Sequence, residues 1–434
     1  MQGRLHGQLP VHRQQALKYP ETWRIDDWDA PWLPWYVRLV NRIPISVLQK
    51  RMPLNADAAM ERARLATGLS NFGSDDFLEP LNVLLEDIAD SPSLTSLGHL
   101  TVYAVLKIQI EGRLCIESLA ARNPQIADIP VRAPIIIAGL PRTGTTHLHN
   151  LLSQVRALRY IPYWQTLSPV ASPKHRDLEA SIRARRQAHR ISIFCAENVV
   201  PLLPRMHEMK LDMPHEELTL TALCFRSFFY ENIFQTPRYR AWYAAQDNAQ
   251  GYLYLKKILQ AIEFEGSGHV GPTGRRWVLK SPQHVDQLPA MVRAFPDVKI
   301  VRTHRDPARA VLSLITMVLY SSRQCYTAGR RKELARAWLD RLEGMLRKSV
   351  QQTDQIPAAN LHEVHFEEFM RDPESTIRQV LAFADVEYDA ASADAVKAHL
   401  KSHVRDRHGR VDYRFEDLGL DEHEVRARFA FYDP

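Results

Sequence analysis

Cysteine is scarce in this chain and long apolar runs are missing, and each shortage removes a class of function. Only Cys115, Cys195, Cys224 and Cys325 occur in 434 residues, widely scattered and with no C-x-x-C pair. That pattern argues against a disulfide framework or a zinc site and predicts a reducing compartment. No stretch of about 18 uninterrupted apolar residues exists, so no bilayer-spanning helix is expected. The opening Met-Gln-Gly-Arg-Leu-His-Gly lacks the apolar centre of a secretory signal, which makes a cytoplasmic protein the default expectation. A strong charge of one sign is also missing. Fifty-six basic against 50 acidic residues leave +6, enough to favour anionic ligands but far from a nucleic-acid footprint, so no nucleic-acid partner is expected. Basic runs such as Arg183 to Arg186 read as solvated helix faces.

One further absence is the most informative. Residues 134–146, Pro-Ile-Ile-Ile-Ala-Gly-Leu-Pro-Arg-Thr-Gly-Thr-Thr, run from a buried-strand pattern into a loop bounded by Gly139 and Gly144 and then into a helix marked by Leu148, Leu151, Leu152 and Val155. The glycines stand five apart, as in a phosphate-binding P-loop, but the lysine that should follow the second one is replaced by Thr145. Spacing alone carries little weight, because 17 glycines in 434 residues predict roughly 0.7 such pairs by chance. The strand, loop and helix order carries more. In ATP and GTP hydrolases that lysine reaches the β- and γ-phosphates and the next Ser or Thr holds magnesium. Here the cation has moved upstream to Arg142, whose planar fork suits bidentate contact with a shorter, bulkier terminal group such as a phosphosulfate.

At this length a core plus a sizeable appendage is expected. Residues 1–130 read as a mostly helical N-terminal extension, with helices over 57–68, 76–90 and 97–122. Within it, Trp23, Trp28, Trp32 and Trp35 crowd together and are followed by Tyr36-Val37-Arg38-Leu39-Val40. Such a segment either fills grooves on the core or anchors at a lipid surface with Arg38 or Arg42 alongside; the groove reading is preferred. Residues 131–434 read as an α/β domain with a helical insertion about 174–262. Strands are expected at 135–138, 277–279, 298–301 and 361–366, with helices over 284–295, 307–320 and 330–351, which implies a parallel sheet flanked by helices.

Ligands bind beyond the carboxyl ends of strands in such sheets. The loop Arg142 to Thr146 is one such segment. Lys280-Ser281-Pro282-Gln283-His284 follows the second strand, and Thr303-His304-Arg305-Asp306-Pro307, with Ser313 further on, follows the third. The ordered patterns G-L-P-R-T-G-T-T, W-V-L-K-S-P and K-I-V-R-T-H-R-D-P-A-R-A-V-L-S resemble those of sulfotransferases that use 3'-phosphoadenosine 5'-phosphosulfate, most of all the larger bacterial branch, and the similarity extends over roughly residues 60–434.

The resemblance implies a P-loop-like fold, that nucleotide as co-substrate, no catalytic metal, and a small hydroxyl-bearing acceptor. It implies that Thr143, Gly144, Thr145 and Thr146 receive the 5'-phosphosulfate, as an anion at a helix N-terminus should be received. Arg142 would neutralise the sulfuryl oxygens, Lys280 would hold the bridging oxygen, and Arg305 with Ser313 would grip the 3'-phosphate. For the general base the sequence departs from the family: the place two residues after the lysine is Pro282, and Trp164 is followed by Gln165. The remaining candidates are His284, slightly favoured, then Glu216 or Glu217, and His207. The segment 212–217 reads equally well as a capped helix start, with Asp212 as cap and Pro214 in the first turn. Two other functions stay open, a P-loop nucleotide kinase or NTPase and a catalytically decayed nucleotide-binding protein. The acceptor is expected to be apolar, and the oligomeric state is not legible.

Overall fold

A strand made wholly of apolar residues requires cover on both faces, and Ile135–Ala138 has it: all four residues are buried. The computed structural model describes residues 22–266, 274–403 and 410–432. Its strands are Thr22–Trp23 (β1), Ile135–Ala138 (β2), Leu158–Arg159 (β3), Arg276–Lys280 (β4), Lys299–His304 (β5), Leu361–His365 (β6) and Arg410–Val411 (β7). Strands β2 to β6 form one parallel sheet in the order β3-β4-β2-β5-β6. The sheet is flanked by helices, in agreement with the α/β fold expected from the alternating pattern.

Side chains of the sheet alternate between two cores, as the two-residue period of a strand requires. Ile135, Ile137, Val278, Val301 and Val364 face a layer that includes Leu148, Leu151 and Ile377. Ile136, Ala138, Leu279 and Ile300 face the opposite layer, built around Leu255, Ile258, Leu259 and Met291. Each isoleucine buried in this way contributes on the order of 1.5–3 kcal/mol relative to exposure.

The first eight helices are Trp35–Val40 (α1), Ile45–Arg51 (α2), Ala56–Thr67 (α3), Leu78–Ala89 (α4), Ser96–Arg122 (α5), Thr145–Leu152 (α6), Tyr163–Leu167 (α7) and Leu178–Val199 (α8). The three helices expected before residue 130 are α3, α4 and α5. They share a core with the helices Pro307–Ser322 and Arg331–Gln352 and with Phe415 and Phe429 near the C-terminus. The expected helix over 284–295 is instead a 3-10 turn, Pro282–Asp286, followed by a helix over Leu288–Ala294. Pro289 accounts for the break, since a proline lacking its N–H is accommodated only in the first turn of the second helix. The turn is held from behind by Arg341, which donates to Asp286 at 2.9 Å and to Glu231 at 3.1 Å, all three groups being buried.

Of the clustered tryptophans, Trp23 and Trp28 are partly buried, with Arg205 and Arg331 stacked on their rings, while Trp32 and Trp35 are 56% and 70% exposed. Filling of grooves thus accounts for half of that cluster. No described helix is long and apolar enough to cross a membrane.

Candidate active site

Because β2 pairs with β4 on one side and β5 on the other, the segments that follow these three strands lie side by side at one edge of the sheet. This sheet order brings residues 139–146, 280–284 and 303–306 to one place although they are far apart in sequence.

The loop is sterically fixed. A Cβ added to Gly139 would stand 2.0 Å from Thr303 Oγ1, 2.8 Å from Thr143 Oγ1 and 2.9 Å from Thr145 Cγ2. Gly144 adopts φ +86°, in the left-handed region, immediately before α6. Arg142 also has a left-handed φ, +74°, a costly conformation for a residue with a side chain. Its carbonyl accepts a hydrogen bond from Arg305 at 2.5 Å, and its own guanidinium donates to the Met206 carbonyl at 3.3 Å. Thr143 is committed within the loop: its N–H and hydroxyl both donate to the Leu140 carbonyl, at 3.3 and 2.6 Å, and its oxygen lies 2.6 Å from Thr303 Oγ1. No side chain caps the start of α6. The first-turn N–H groups at Thr145 and Thr146, which have no partners inside the helix, are therefore the donors this loop offers to an anion.

Replacing Gly139 with alanine is expected to force this loop apart, at a cost of about 1–3 kcal/mol. Thermal unfolding of the variant, together with a loss of anion affinity larger than the stability loss accounts for, checks the expectation.

Lys280 is the last residue of β4 and only 3% exposed. Its Nζ lies 2.5 Å from Glu216 Oε1 and 3.3 Å from Thr146 Oγ1, so the lysine bridges the start of α6 and a carboxylate. Its backbone N–H donates to Glu217 Oε2 at 2.9 Å. The other Glu217 oxygen meets His284 Nε2, and His284 Nδ1 lies 2.8 Å from the Tyr252 hydroxyl. Glu217 and His284 are both fully buried. Burial pushes the Glu217 carboxyl up, but the charge and hydrogen bond of His284 outweigh it and hold the pKa below its usual value. These groups form a closed chain that fixes the end of β4 from beneath.

Lys280 Nζ meets Glu216 and Thr146, whereas the side chains of Glu217 and His284 are wholly buried against each other. The turn at Pro282 directs the favoured candidate, His284, inward onto the other candidate, Glu217. The helix-start reading of residues 212–217 is corrected. Asp212 pairs with Arg186 instead of capping. Pro214 lies in an extended bridge to Pro162, and the helix begins only at Leu218. That bridge is extended by hydrogen bonds from Tyr163 N–H to the Met213 carbonyl and from His215 N–H to the Ile161 carbonyl. It carries Glu216 to the lysine.

His207 and His215 stack edge to face with centroids 5.4 Å apart, and Tyr163 lies 4.3 Å from His215. Burial lowers the pKa of both imidazoles, and for His215 the neighbouring His207 and Lys280 lower it further. His149, behind Lys280, is pushed down to about 3 by burial and then by the lysine's charge. The histidines are thus neutral rings near neutral pH. Sequence reasoning missed His149, His215 and Tyr252; no spacing marks them, because the folded sheet and the 161–163 bridge assemble them.

Arg305 lies over the Phe366 ring, 4.0 Å from its centroid. Behind it, Glu363 accepts from Arg302 and lies 2.8 Å from His304 Nε2, while the Tyr432 hydroxyl meets His304 Nδ1 at 2.6 Å. Burial works against the Glu363 carboxylate, yet hydrogen bonds from His304 and Arg302 bring its pKa to about 2. Ser313 is buried in the helix Pro307–Ser322 and does not line the small pocket formed by Gly139, Thr143, Thr303 and Arg305.

A family model described as "Sulfotransferase family" matches residues 134–390. Among solved structures, the sulfotransferase STF1 from Mycobacterium tuberculosis H37Rv is 25% identical with a TM-score of 0.74, over 87% of this chain and 99% of that one. The sulfotransferase STF9 from Mycobacterium avium is likewise 25% identical, with a TM-score of 0.75 over 87% of this chain and 96% of its own. A search of curated proteins finds no match.

Proposed function

The chain belongs to the sulfotransferase family, and we propose that it moves a sulfuryl group from 3'-phosphoadenosine 5'-phosphosulfate to a hydroxyl of a small apolar acceptor, with no catalytic metal. The observation that carries this reading is the position of Lys280 Nζ, within 3.3 Å of the first turn of α6 and 2.5 Å of Glu216. A cation there faces both an anion cradle and a carboxylate able to take a proton.

In this reading the 5'-phosphosulfate sits on the N–H groups of Thr145 and Thr146, with Arg142 beside the sulfuryl oxygens. Glu216 takes the proton as the acceptor O–H bond breaks. The acceptor oxygen forms its bond to sulfur while the bond from sulfur to the bridging oxygen breaks. Lys280 donates to that bridging oxygen as it becomes part of the departing bisphosphate. Arg305 is assigned to the 3'-phosphate, with Ser313 as its expected partner. The uncharged rings of His207, His215 and Tyr163 next to Glu216 support an apolar acceptor, since they offer contact area without charge.

The test is calorimetry with the product nucleotide, 3'-phosphoadenosine 5'-phosphate. It is expected to bind without magnesium and about 10- to 100-fold more tightly than ADP, the worth of one or two charge-assisted hydrogen bonds to the 3'-phosphate. Turnover of the phosphosulfate donor across a panel of alcohols and phenols completes it. Magnesium-dependent ATP binding with no affinity for the bisphosphate would transfer the chain to the kinase class. Bisphosphate binding without turnover on any acceptor would favour a decayed enzyme.

A further inference from the structure

From the N-terminal helices and α8 we infer that one face of this protein docks on the surface of an anionic lipid bilayer. The inference does not depend on the sulfuryl-transfer reading. Between Ala30 and Ala56 the sequence contains no Asp or Glu, yet it contains Arg38, Arg42, Lys50 and Arg51. All four cations are exposed, and among the described residues none of them forms an ion pair. Elsewhere on the molecule exposed arginines are commonly paired, as Arg186 is with Asp212 and Arg238 with Asp90.

The same helices present large apolar groups to solvent: Trp32, Trp35 and Leu39 from the α1 region and Val47 from α2 are all exposed. A second element adds to this face. On α8, Ile191 and Phe194 are 54% and 67% exposed, and the adjoining Cys195 lies within electrostatic reach of Tyr36 on α1. Burial and that thiol together push the Tyr36 phenol's pKa up. Two segments distant in sequence thus contribute to one apolar surface, on which Arg38, Arg42, Lys50 and Arg51 form no ion pair among the described residues.

The surface is held rigidly. Asn41, at the end of α1, accepts from the Leu97 N–H at 2.9 Å, and the Ile43 carbonyl accepts from Ser96 Oγ at 2.6 Å, fixing the α1–α2 turn to the start of α5. Exposed tryptophan and tyrosine rings interspersed with Arg and Lys are the composition that settles at the boundary between lipid headgroups and acyl chains. A protein partner would be expected to answer the cations with carboxylates; an anionic bilayer answers them with lipid phosphates and takes up the rings as well.

The intact chain should co-sediment with vesicles of about 30% phosphatidylglycerol in phosphatidylcholine and be released by ~0.5 M salt, with little affinity for pure phosphatidylcholine. Each cation near such a surface is worth roughly fivefold in binding, so Arg38→Glu with Arg42→Glu should weaken it on the order of 25-fold or more. Trp32→Ser with Trp35→Ser should weaken it at least about tenfold and abolish the blue shift of tryptophan emission on vesicle addition. Both variants should keep the parent's melting temperature and bisphosphate affinity. The proposal is overturned if anionic vesicles do not bind the parent chain, or if neither variant weakens binding. It is also overturned if light scattering shows a dimer that the tryptophan variant converts to monomer, which would make the face a contact between two copies of this chain.

Discussion

Lys280→Ala is expected to lower the rate of sulfuryl transfer by about 10²- to 10³-fold while leaving the fold intact. The magnitude follows from where the charge is needed. As the sulfur–oxygen bond breaks, negative charge develops on the bridging oxygen, and a donor already aimed at that position stabilises the transition state more than the ground state. The fold should tolerate the change because the hydrogen bond from residue 280 to Glu217 comes from the backbone, which alanine retains. The cradle at Thr145 and Thr146 is also unchanged, so product nucleotide should bind with a loss of less than about tenfold, the effect falling mainly on kcat. Single-turnover rates set beside bisphosphate affinity check this. A variant that kept more than about a fifth of the parent rate would remove Lys280 from the chemistry.

The neighbourhood of that lysine also shows what the sequence could and could not convey. The central strand was legible because Ile135, Ile136, Ile137 and Ala138 form a short, β-branched apolar run ended by glycine, the combination that separates a strand covered on both faces from a buried helix. The segments at Lys280 and Arg305 were legible because each follows an apolar strand with a cluster of polar residues. Their meeting at one loop depends on the placement of β2 between β4 and β5, which no local pattern encodes. β3 and the β1–β7 pair were missed; at two residues each they carry no periodicity.

Glu216 and Glu217 illustrate a different limit. They are adjacent, chemically identical and equally polar, yet one is fully buried under the sheet and the other meets Lys280. Successive side chains of an extended segment point to opposite sides. Which of the two turns inward is decided by the register of residues 213–215 against 161–163, a long-range fact. The same burial explains why an ionised group survives at Glu217. Three donors, from the backbone of residue 280, from its own backbone and from His284, replace the water it lost.

Glu216→Gln should reduce turnover by about 10² to 10⁴, the usual worth of a positioned general base. The substitution preserves shape and removes the ability to accept a proton. Nucleotide affinity provides a second, opposite readout. In the free protein the Glu216 carboxylate lies 2.5 Å from Lys280 Nζ and competes with any incoming anion for that charge. Neutralising it should leave bisphosphate binding unchanged or make it tighter, even as turnover falls. A merely structural role would weaken both together. His207, electrostatically coupled to Glu216, Lys280 and Arg142, is the control. If His207→Ala abolished turnover and Glu216→Gln kept more than about a tenth of it, the proton would pass to the imidazole and Glu216 would serve only to hold the lysine in place.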